Sequence, residues 1–357
     1  MVGATPKPQP GFGEIWGQQE AVGRIVEGLR KNRLAPSLVF HGPEGIGKSL
    51  LALLLARTLT CPDAREAACG NCPSCRKIQP PDCRHPDIRR LTPQGQEIRI
   101  QQIRDLIREI QVRPMEGKRR VFLIDPADRM TSEAANALLK TLEEPPPRSA
   151  ILLVTAKYHS LLPTIRSRCQ MIRLQTVDRD TVYRYLVEAK QREESEADLI
   201  ATLCEGRIAQ AATFEVQDYR KRRDRLLSMI RDLQGRRYGS AVIHHSEQLS
   251  HNLDELRKDI DILLFLFRDV ACLVHLGASA PIANGDIQES LREIAGRFGP
   301  RSHNIVERIE ETRRDLARNV NRYLAMQVLL FDLAGAGRMA EPRRRPTISP
   351  GVRPLLR

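Results

Sequence analysis

Residues 38–49 constrain the fold most strongly, because they combine a buried strand, a glycine-rich turn and the start of a helix. Glycines allow successive backbone N–H groups to curve around an anion, and the helix N-terminus adds positive potential at the same point. The lysine would reach β/γ-phosphates and the serine hydroxyl would bind Mg²⁺. A ligand-free strand-to-helix turn is the alternative. The pattern predicts a nucleotide-binding phosphate loop formed by Gly42, Pro43, Glu44, Gly45, Ile46, Gly47, Lys48 and Ser49.

Composition limits the class of protein. A chain of 357 residues predicts two or three domains, and 41% hydrophobic residues suffice for globular cores. The sequence has no apolar run of membrane length and no signal-peptide core near Met1, so we expect a cytoplasmic protein without a membrane partner. The net charge of +13 favours contact with nucleic acid or with an acidic protein. That indication is weak, because 44 acidic residues are interspersed among the basic ones.

Four cysteines lie close together after the helix that follows the phosphate loop. The tight turns between them would let the thiolates converge on one ion, and four sulfur ligands suit tetrahedral Zn²⁺ in a structural site. Reduced free thiols and an iron–sulfur cluster are the alternatives. Cys83 is left out as a free thiol. The predicted zinc ligands are Cys61, Cys69, Cys72 and Cys75.

Apolar strands alternate with amphipathic helices up to about residue 177, which predicts an α/β domain with a doubly wound parallel sheet. The strand at 121–124 ends in Asp125, a carboxylate that would hold Mg²⁺ through water. Thr155 ends the strand at 150–155 and would either face a γ-phosphate or be buried and bonded to backbone. We expect Trp16 to pack in the core rather than against a base.

After residue 177 the pattern is helical. Short helices predict a small domain at 178–216, and longer ones, interrupted near 277–284 and 296–300, predict a helical domain at 217–340. Residues 341–357 are rich in Pro and Arg without apolar periodicity, which predicts a disordered basic tail.

Four stretches together resemble a known family. They are the phosphate loop, the four cysteines, ANALLKTLEEPP at 135–146 and RSRC at 166–169. In this order they are similar to the clamp-loader branch of the AAA+ ATPases, and the likeness covers about residues 13–215. The resemblance implies an AAA+ phosphate-loop domain at 1–177 with a zinc insertion at 61–75. It also implies that 178–216 is a lid and that 217–340 is a collar for oligomerisation.

The resemblance also implies specific partners and one catalytic residue. Clamp loaders are five-subunit rings of gamma/tau, delta and delta-prime subunits that place the sliding clamp of DNA polymerase III on primed DNA. The arginine of the Ser-Arg-Cys motif acts on the ATP of the neighbouring subunit. The resemblance therefore implies that Arg168 is an arginine finger supplied in trans, since a guanidinium offers a fork of donors to the γ-phosphoryl group.

Two departures decide which kind of subunit we expect. Motor subunits carry Glu after the strand-end Asp, whereas this chain has Pro126, which cannot activate water. Motor subunits also carry an arginine three residues after a lid glycine, and the corresponding residue here is Ala209. We therefore expect a delta-prime-type stator that binds ATP and Mg²⁺ weakly or structurally and hydrolyses little.

Two alternatives remain. The first is a gamma/tau-like motor ATPase that activates water through another residue; Asp128 is the nearest candidate, but we expect it to point away from the site. The second is a stand-alone nucleic-acid-binding protein that exploits the positive charge, with salt-dependent affinity for DNA. The sequence shows no aromatic and basic stacking pattern in its favour.

Overall fold

The computed structural model describes residues 11–235, 238–318 and 320–335, apart from the side chain of Ala278. The predicted basic tail at 341–357 lies outside these residues. The chain divides into two compact units, residues 1–214 and 215–357. The further division of the first unit into a nucleotide-binding domain and a lid stays a prediction.

The first unit is built on a five-stranded parallel sheet. Its strand order is β4-β5-β6-β1-β7, and a separate antiparallel pair, β2-β3, follows the four clustered cysteines. The bounds are β1 Ser37–His41, β2 Ile78–Gln79, β3 Asp82–Cys83, β4 Ile88–Leu91, β5 Arg120–Ile124, β6 Ser149–Thr155 and β7 Gln170–Arg173.

Helices cover both faces of this sheet. The bounds are α1 Gln19–Arg30, α2 Lys48–Thr60, α3 Pro73–Arg76, α4 Ile100–Ile110, α5 Ser132–Glu143, α6 Pro163–Arg166, α7 Arg179–Arg184, α8 Glu194–Leu203 and α9 Ile208–Ala212. A π-helical turn, Tyr185–Ala189, continues α7. One core contains α1 and α2, and a second core on the other face contains α4 and α5. The predicted doubly wound α/β sheet is confirmed.

Local sequence explains the main elements. Every residue of β6 is buried, because β5 and β1 flank it and helices cover both of its faces. The helix α5 has a side-chain cap at its start: the Thr131 hydroxyl accepts a hydrogen bond from the Ala134 N–H at 3.3 Å. It ends before three consecutive prolines, which cannot continue a helix.

The described residues of the second unit form helices joined by loops and turns, without a strand. The bounds are α10 Val216–Asp232, α11 Tyr238–Ser250, α12 Leu253–Leu276, α13 Gln288–Phe298, α14 Ser302–Ala317 and α15 Arg322–Ala334. The predicted break at 296–300 begins too early, since Gly296 lies within α13 and the helix ends at Gly299 with φ of 48°. No helix among the described residues is long and apolar enough to span a membrane.

Buried polar contacts organise this second unit. Asn284 is fully buried and its side-chain oxygen accepts hydrogen bonds from the Tyr219 hydroxyl at 2.8 Å and from Arg223 at 3.1 Å. Arg223 also makes two hydrogen bonds of 2.7 Å with Asp286. Asp269 accepts hydrogen bonds from the backbone and side chain of Asn284. The network joins α10 and α12 to the segment before α13.

Candidate functional site

The candidate nucleotide site lies at the carboxyl edge of the parallel sheet, where open α/β sheets bind ligands. The strand order brings three predicted residues to this edge. Gly42 follows β1, Thr155 ends the adjacent strand β6, and Asp125 follows β5 on the other side of β6.

The phosphate loop adopts a backbone that requires glycine at two places. Gly42 has φ of 147°, and a Cβ there would lie 2.3 Å from the Leu174 carbonyl oxygen. Gly47 has φ of 97° and is the residue before α2, so the loop leads directly into the helix N-terminus. This backbone forms the turn that a phosphate would contact.

The Lys48 side chain lies against the backbone of the phosphate loop. It is 7% exposed, and its ammonium donates hydrogen bonds to the carbonyl oxygens of Gly42 at 2.9 Å and Pro43 at 2.5 Å. Burial lowers the pKa of Lys48, while the negative charges of Glu44, Asp125 and Asp128 act in the opposite direction. Lys48 therefore lies among the acidic groups of this edge.

Asp125 has a cationic partner within the protein. Its Oδ2 lies 3.2 Å from a guanidinium nitrogen of Arg90, at the end of β4, and the Asp125 side chain is 11% exposed. The strands β4 and β5 are neighbours, with Arg90 paired to Leu123. Sequence reasoning missed Arg90, because the order of the strands was not predicted.

Thr155 is buried and contacts a second carboxylate. Its hydroxyl donates a hydrogen bond of 2.6 Å to Asp128 and accepts one of 2.9 Å from the Lys157 N–H. The expectation that Asp128 points away from the site was wrong, because Asp128 lines the same cavity as Lys48. A short 3₁₀ turn after Pro126 returns the chain toward β6.

A cavity of about 930 Å³ extends from the phosphate loop to the helices after residue 178. Trp16 lines it, so the expectation that this residue belongs to the core was wrong. The Trp16 ring packs edge-on to Tyr185, with ring centroids 5.6 Å apart. The N–H groups of Ala209 and Gln210, in α9, donate to the Gly45 carbonyl oxygen at 2.8 and 3.0 Å. The helix α9 is therefore in direct hydrogen-bonding contact with the phosphate loop.

Arg168 lies outside the lining of this cavity. Its guanidinium forms an ion pair with Glu143, the last residue of α5, and donates a hydrogen bond of 2.9 Å to the Thr164 carbonyl oxygen. The side chain is 32% exposed. Arg168 is therefore held in place at the surface, and its side chain remains partly exposed to solvent.

The four cysteines form a compact cluster. All four sulfur atoms lie within 4.8 Å of one another, with Cys61 Sγ 3.7 Å from Cys69 Sγ and 3.9 Å from Cys72 Sγ. Tetrahedral zinc with Zn–S bonds of about 2.3 Å places sulfurs about 3.8 Å apart, so the cluster fits a zinc ion. Backbone N–H groups of Asn71 and Cys72 lower the pKa of Cys69 to about 7, whereas burial raises the pKa of Cys72 and of Cys75.

The cluster is connected to the sheet through buried polar side chains. The Ser74 hydroxyl oxygen lies 2.7 Å from His85 Nε2, and Ser74 stands in the chain between Cys72 and Cys75. The other ring nitrogen, His85 Nδ1, accepts a hydrogen bond of 3.1 Å from the Asp87 N–H. Asp87 in turn accepts backbone hydrogen bonds of 2.7 to 2.8 Å from Met115, Glu116 and Gly117. The insertion is thus fixed to the start of β4.

Two protein-family models match the chain in order. One, described as the DNA polymerase III delta subunit, matches residues 17–178, and the other, its C-terminal part, matches residues 217–335. The chain belongs to the DNA polymerase III delta-subunit family. The first match lies within the phosphate-loop unit and the second within the helical unit, and the resemblance inferred from the sequence motifs is confirmed.

Individual proteins that are similar to this chain carry names of DNA polymerase III subunits. The delta-prime subunit of Bacillus subtilis is 28% identical over 87% of this chain and 94% of its own length. The delta-prime subunit of Pseudomonas aeruginosa is 39% identical over 44% of this chain and 47% of its own length. The tau subunit of Escherichia coli is 33% identical, but the match takes in 59% of this chain and only 33% of tau. The likeness therefore extends to a tau subunit over part of this chain.

Proposed function

We propose that this protein is a delta-prime-type subunit of a bacterial clamp loader, which supplies Arg168 in trans to the ATP site of a neighbouring subunit. It works within a ring with gamma/tau and delta subunits that places the sliding clamp on primed DNA. The observation that carries this proposal is the position of Arg168, outside the chain's own nucleotide cavity and held by Glu143. A guanidinium at the surface can reach a neighbour's γ-phosphate.

The physical contribution of Arg168 is electrostatic. Negative charge accumulates on the γ-phosphoryl oxygens during transfer, and a guanidinium that is already oriented stabilises that charge without a large reorganisation. The contacts with Glu143 and the Thr164 carbonyl restrict the rotamers of the side chain before a neighbour docks. This lowers the entropic cost of placing the guanidinium at the phosphate.

The chain's own site supports nucleotide binding with little turnover. The phosphate loop is formed, Lys48 is aligned along it, and the cavity has room for a nucleotide. Pro126 follows Asp125 and has no group that can accept a proton from water. Nucleotide bound here would stabilise the contact between α9 and the loop rather than drive a motor step.

Zinc in the cysteine cluster would be structural. Four sulfur ligands leave no open coordination position for a substrate or a reactive water. The ion would hold together a small loop-rich segment that contains the four-residue helix α3 and is followed by a two-stranded sheet. The ligands we assign are the predicted four, and Cys83 is not among them.

The helical unit supplies a surface suited to subunit contacts. Leu324, Val328 and Phe331 recur at helical spacing on α15 and are 55%, 51% and 38% exposed, respectively. The opposite face of α15 is buried against α11 and α14. An exposed apolar stripe of this kind is costly in water and favours a protein partner. We assign this stripe to a contact with a neighbouring clamp-loader subunit.

Reconstitution of the complex tests the trans role. In a loader reassembled with its gamma/tau and delta partners, Arg168→Ala should reduce DNA-stimulated ATP turnover by about a thousandfold while the subunits still co-elute. Arg104→Ala, which removes an exposed arginine from α4, is the matched control and should leave turnover unchanged. Normal turnover in the Arg168→Ala complex would contradict the trans role.

One observation favours the motor alternative: Asp128 lines the cavity, where it would be near an attacking water. Its Oδ1 already accepts a hydrogen bond of 2.6 Å from the Thr155 hydroxyl, so this oxygen is engaged by the protein itself. ATP turnover by the purified chain alone separates the two functions. Binding without turnover supports the stator, and robust turnover that is lost in Asp128→Asn would support the motor.

A further inference from the structure

The ion pair between Arg90 and Asp125 occupies the place where the sequence predicted a metal. Asp125 follows the strand β5 and was expected to hold Mg²⁺ through water. Instead, a guanidinium nitrogen of Arg90 lies 3.2 Å from its Oδ2. The two residues meet because β4 and β5 are adjacent parallel strands that end at the same edge. The protein thus places its own cation beside this carboxylate.

The second carboxylate of the site is also engaged. Asp128 accepts a hydrogen bond of 2.6 Å from Thr155. A protein-bound Mg²⁺ demands near-octahedral oxygen ligands at about 2.0–2.1 Å and tolerates no cation among them. A guanidinium on Asp125 repels a divalent ion and competes for the same oxygen. The residues present therefore do not fit the predicted Mg²⁺ site.

The charges of the cavity suit a nucleotide without a metal. Its lining contains five basic residues, which are Lys48, Arg90, Arg129, Lys157 and Lys190. Four acidic residues accompany them, which are Glu14, Glu44, Asp125 and Asp128. Arg90 is 46% exposed and has five N–H donors, so one can contact Asp125 while others face a phosphate.

We propose that this chain binds its nucleotide, a nucleoside di- or triphosphate, without a divalent cation, and that Arg90 replaces the cation at Asp125. The inference rests on the nucleotide binding proposed above. Arg90 compensates the carboxylate and contributes a donor to the phosphates. Such a site would retain a nucleotide but would lack the divalent cation that phosphoryl transfer needs.

Calorimetric titration of the full-length chain with ADP, and with ATP, in buffers containing either Mg²⁺ or EDTA tests this. The affinities of the wild-type chain should be equal in the two buffers or higher in EDTA. In Arg90→Met the unpaired Asp125 faces the phosphates, so Mg²⁺ should tighten binding by about fivefold or more, the size of a typical coupling between two ligands. Adding Asp125→Asn to this variant should abolish the new dependence.

The neighbouring Arg89→Met variant is the matched control, since Arg89 is 62% exposed, pairs with Glu109 and does not line the cavity. It should behave like the wild-type chain. Wild-type binding that is about fivefold or more tighter in Mg²⁺ overturns the inference about Arg90 while leaving nucleotide binding in place. Absence of binding in both buffers overturns nucleotide binding itself, and the inference with it, but leaves the trans role of Arg168 standing.

Discussion

Arg168 and Glu143 form an ion pair that joins the segment after α6 to the C-terminal end of α5. Both residues lie within the two motifs that carry the family resemblance, ANALLKTLEEPP and RSRC. The side chains of Arg168 and Glu143 are 32% and 46% exposed, so the ion pair contributes little to the stability of the fold. Its main effect is to orient the Arg168 side chain.

The first prediction concerns this orientation. Replacing Glu143 with Ala should lower the DNA-stimulated ATP turnover of the reconstituted complex by about tenfold, because Arg168 loses a contact that restricts its rotamers. The effect should be absent when Arg168 is already Ala, since residues that act together are not additive. Assembly, measured by co-elution, should not change. If Glu143→Ala lowered ATP turnover by the same factor in the wild-type chain and in the Arg168→Ala chain, Glu143 would act independently of Arg168.

The second prediction concerns the metal. Cys72→Ser should lose bound zinc and destabilise the insertion, because Cys72 is buried and its sulfur lies 3.9 Å from that of Cys61. Cys83→Ser should retain the ion, since Cys83 is outside the cluster. Elemental analysis of the purified chains measures both. A wild-type chain that contains no zinc would refute the site, and iron in its place would indicate a cluster.

The third prediction concerns assembly through α15. A charge at Val328, as in Val328→Asp, should prevent incorporation of the chain into the complex. The free energy of unfolding of the isolated chain should stay within about 0.5 kcal/mol of the wild-type value, as for other surface substitutions. Met115→Asp changes a comparably exposed apolar residue of the first unit and should still assemble. Size-exclusion chromatography with the partner subunits measures the outcome. Normal assembly of Val328→Asp would exclude this face.

The fourth prediction concerns acid stability. Burial raises the pKa of Asp87, but hydrogen bonds from the Met115, Glu116 and Gly117 N–H groups outweigh it, and the net pKa is lowered. The folded chain therefore binds this proton less readily than the unfolded chain. The stabilisation is complete above the unfolded pKa of about 3.9 and is lost as pH falls through the lower folded value.

Asp87→Asn should therefore cost about 2 kcal/mol of unfolding free energy at neutral pH, because backbone donors lose a charged acceptor. The difference from wild type should shrink as pH falls below about 4. Denaturant unfolding across this pH range provides the measurement. The exposed Asp82→Asn serves as the control and should show neither effect. A cost for Asp87→Asn that stays constant with pH would mean that its charge is not involved.

Local sequence was sufficient for most of the elements of the fold. The phosphate loop and the strands before it and before Asp125 were all predicted within a few residues of their observed bounds. These features depend on glycine backbone preferences, apolar periodicity and capping, which act between residues close in the chain. The cysteine cluster was also found, since metal ligands at short spacing converge through local turns.

Side-chain partners across strands could not be found in this way. Arg90 was missed and Asp128 was misplaced, although both line the cavity of the candidate nucleotide site. Trp16 was assigned to the core, whereas it lines the cavity beside Tyr185. Each of these positions depends on which elements become neighbours, and periodicity within one element carries no information about that.

The sequence by itself determined that this chain forms a phosphate loop, that its cysteines can gather around a metal, and that Pro126 follows the strand-end Asp125. Only the tertiary structure decided what surrounds that carboxylate. The order β4-β5-β6-β1-β7 places Arg90 against Asp125 and Thr155 against Asp128. The reason is physical: short-range backbone and capping preferences are local, whereas charge pairing depends on distances that only strand order sets.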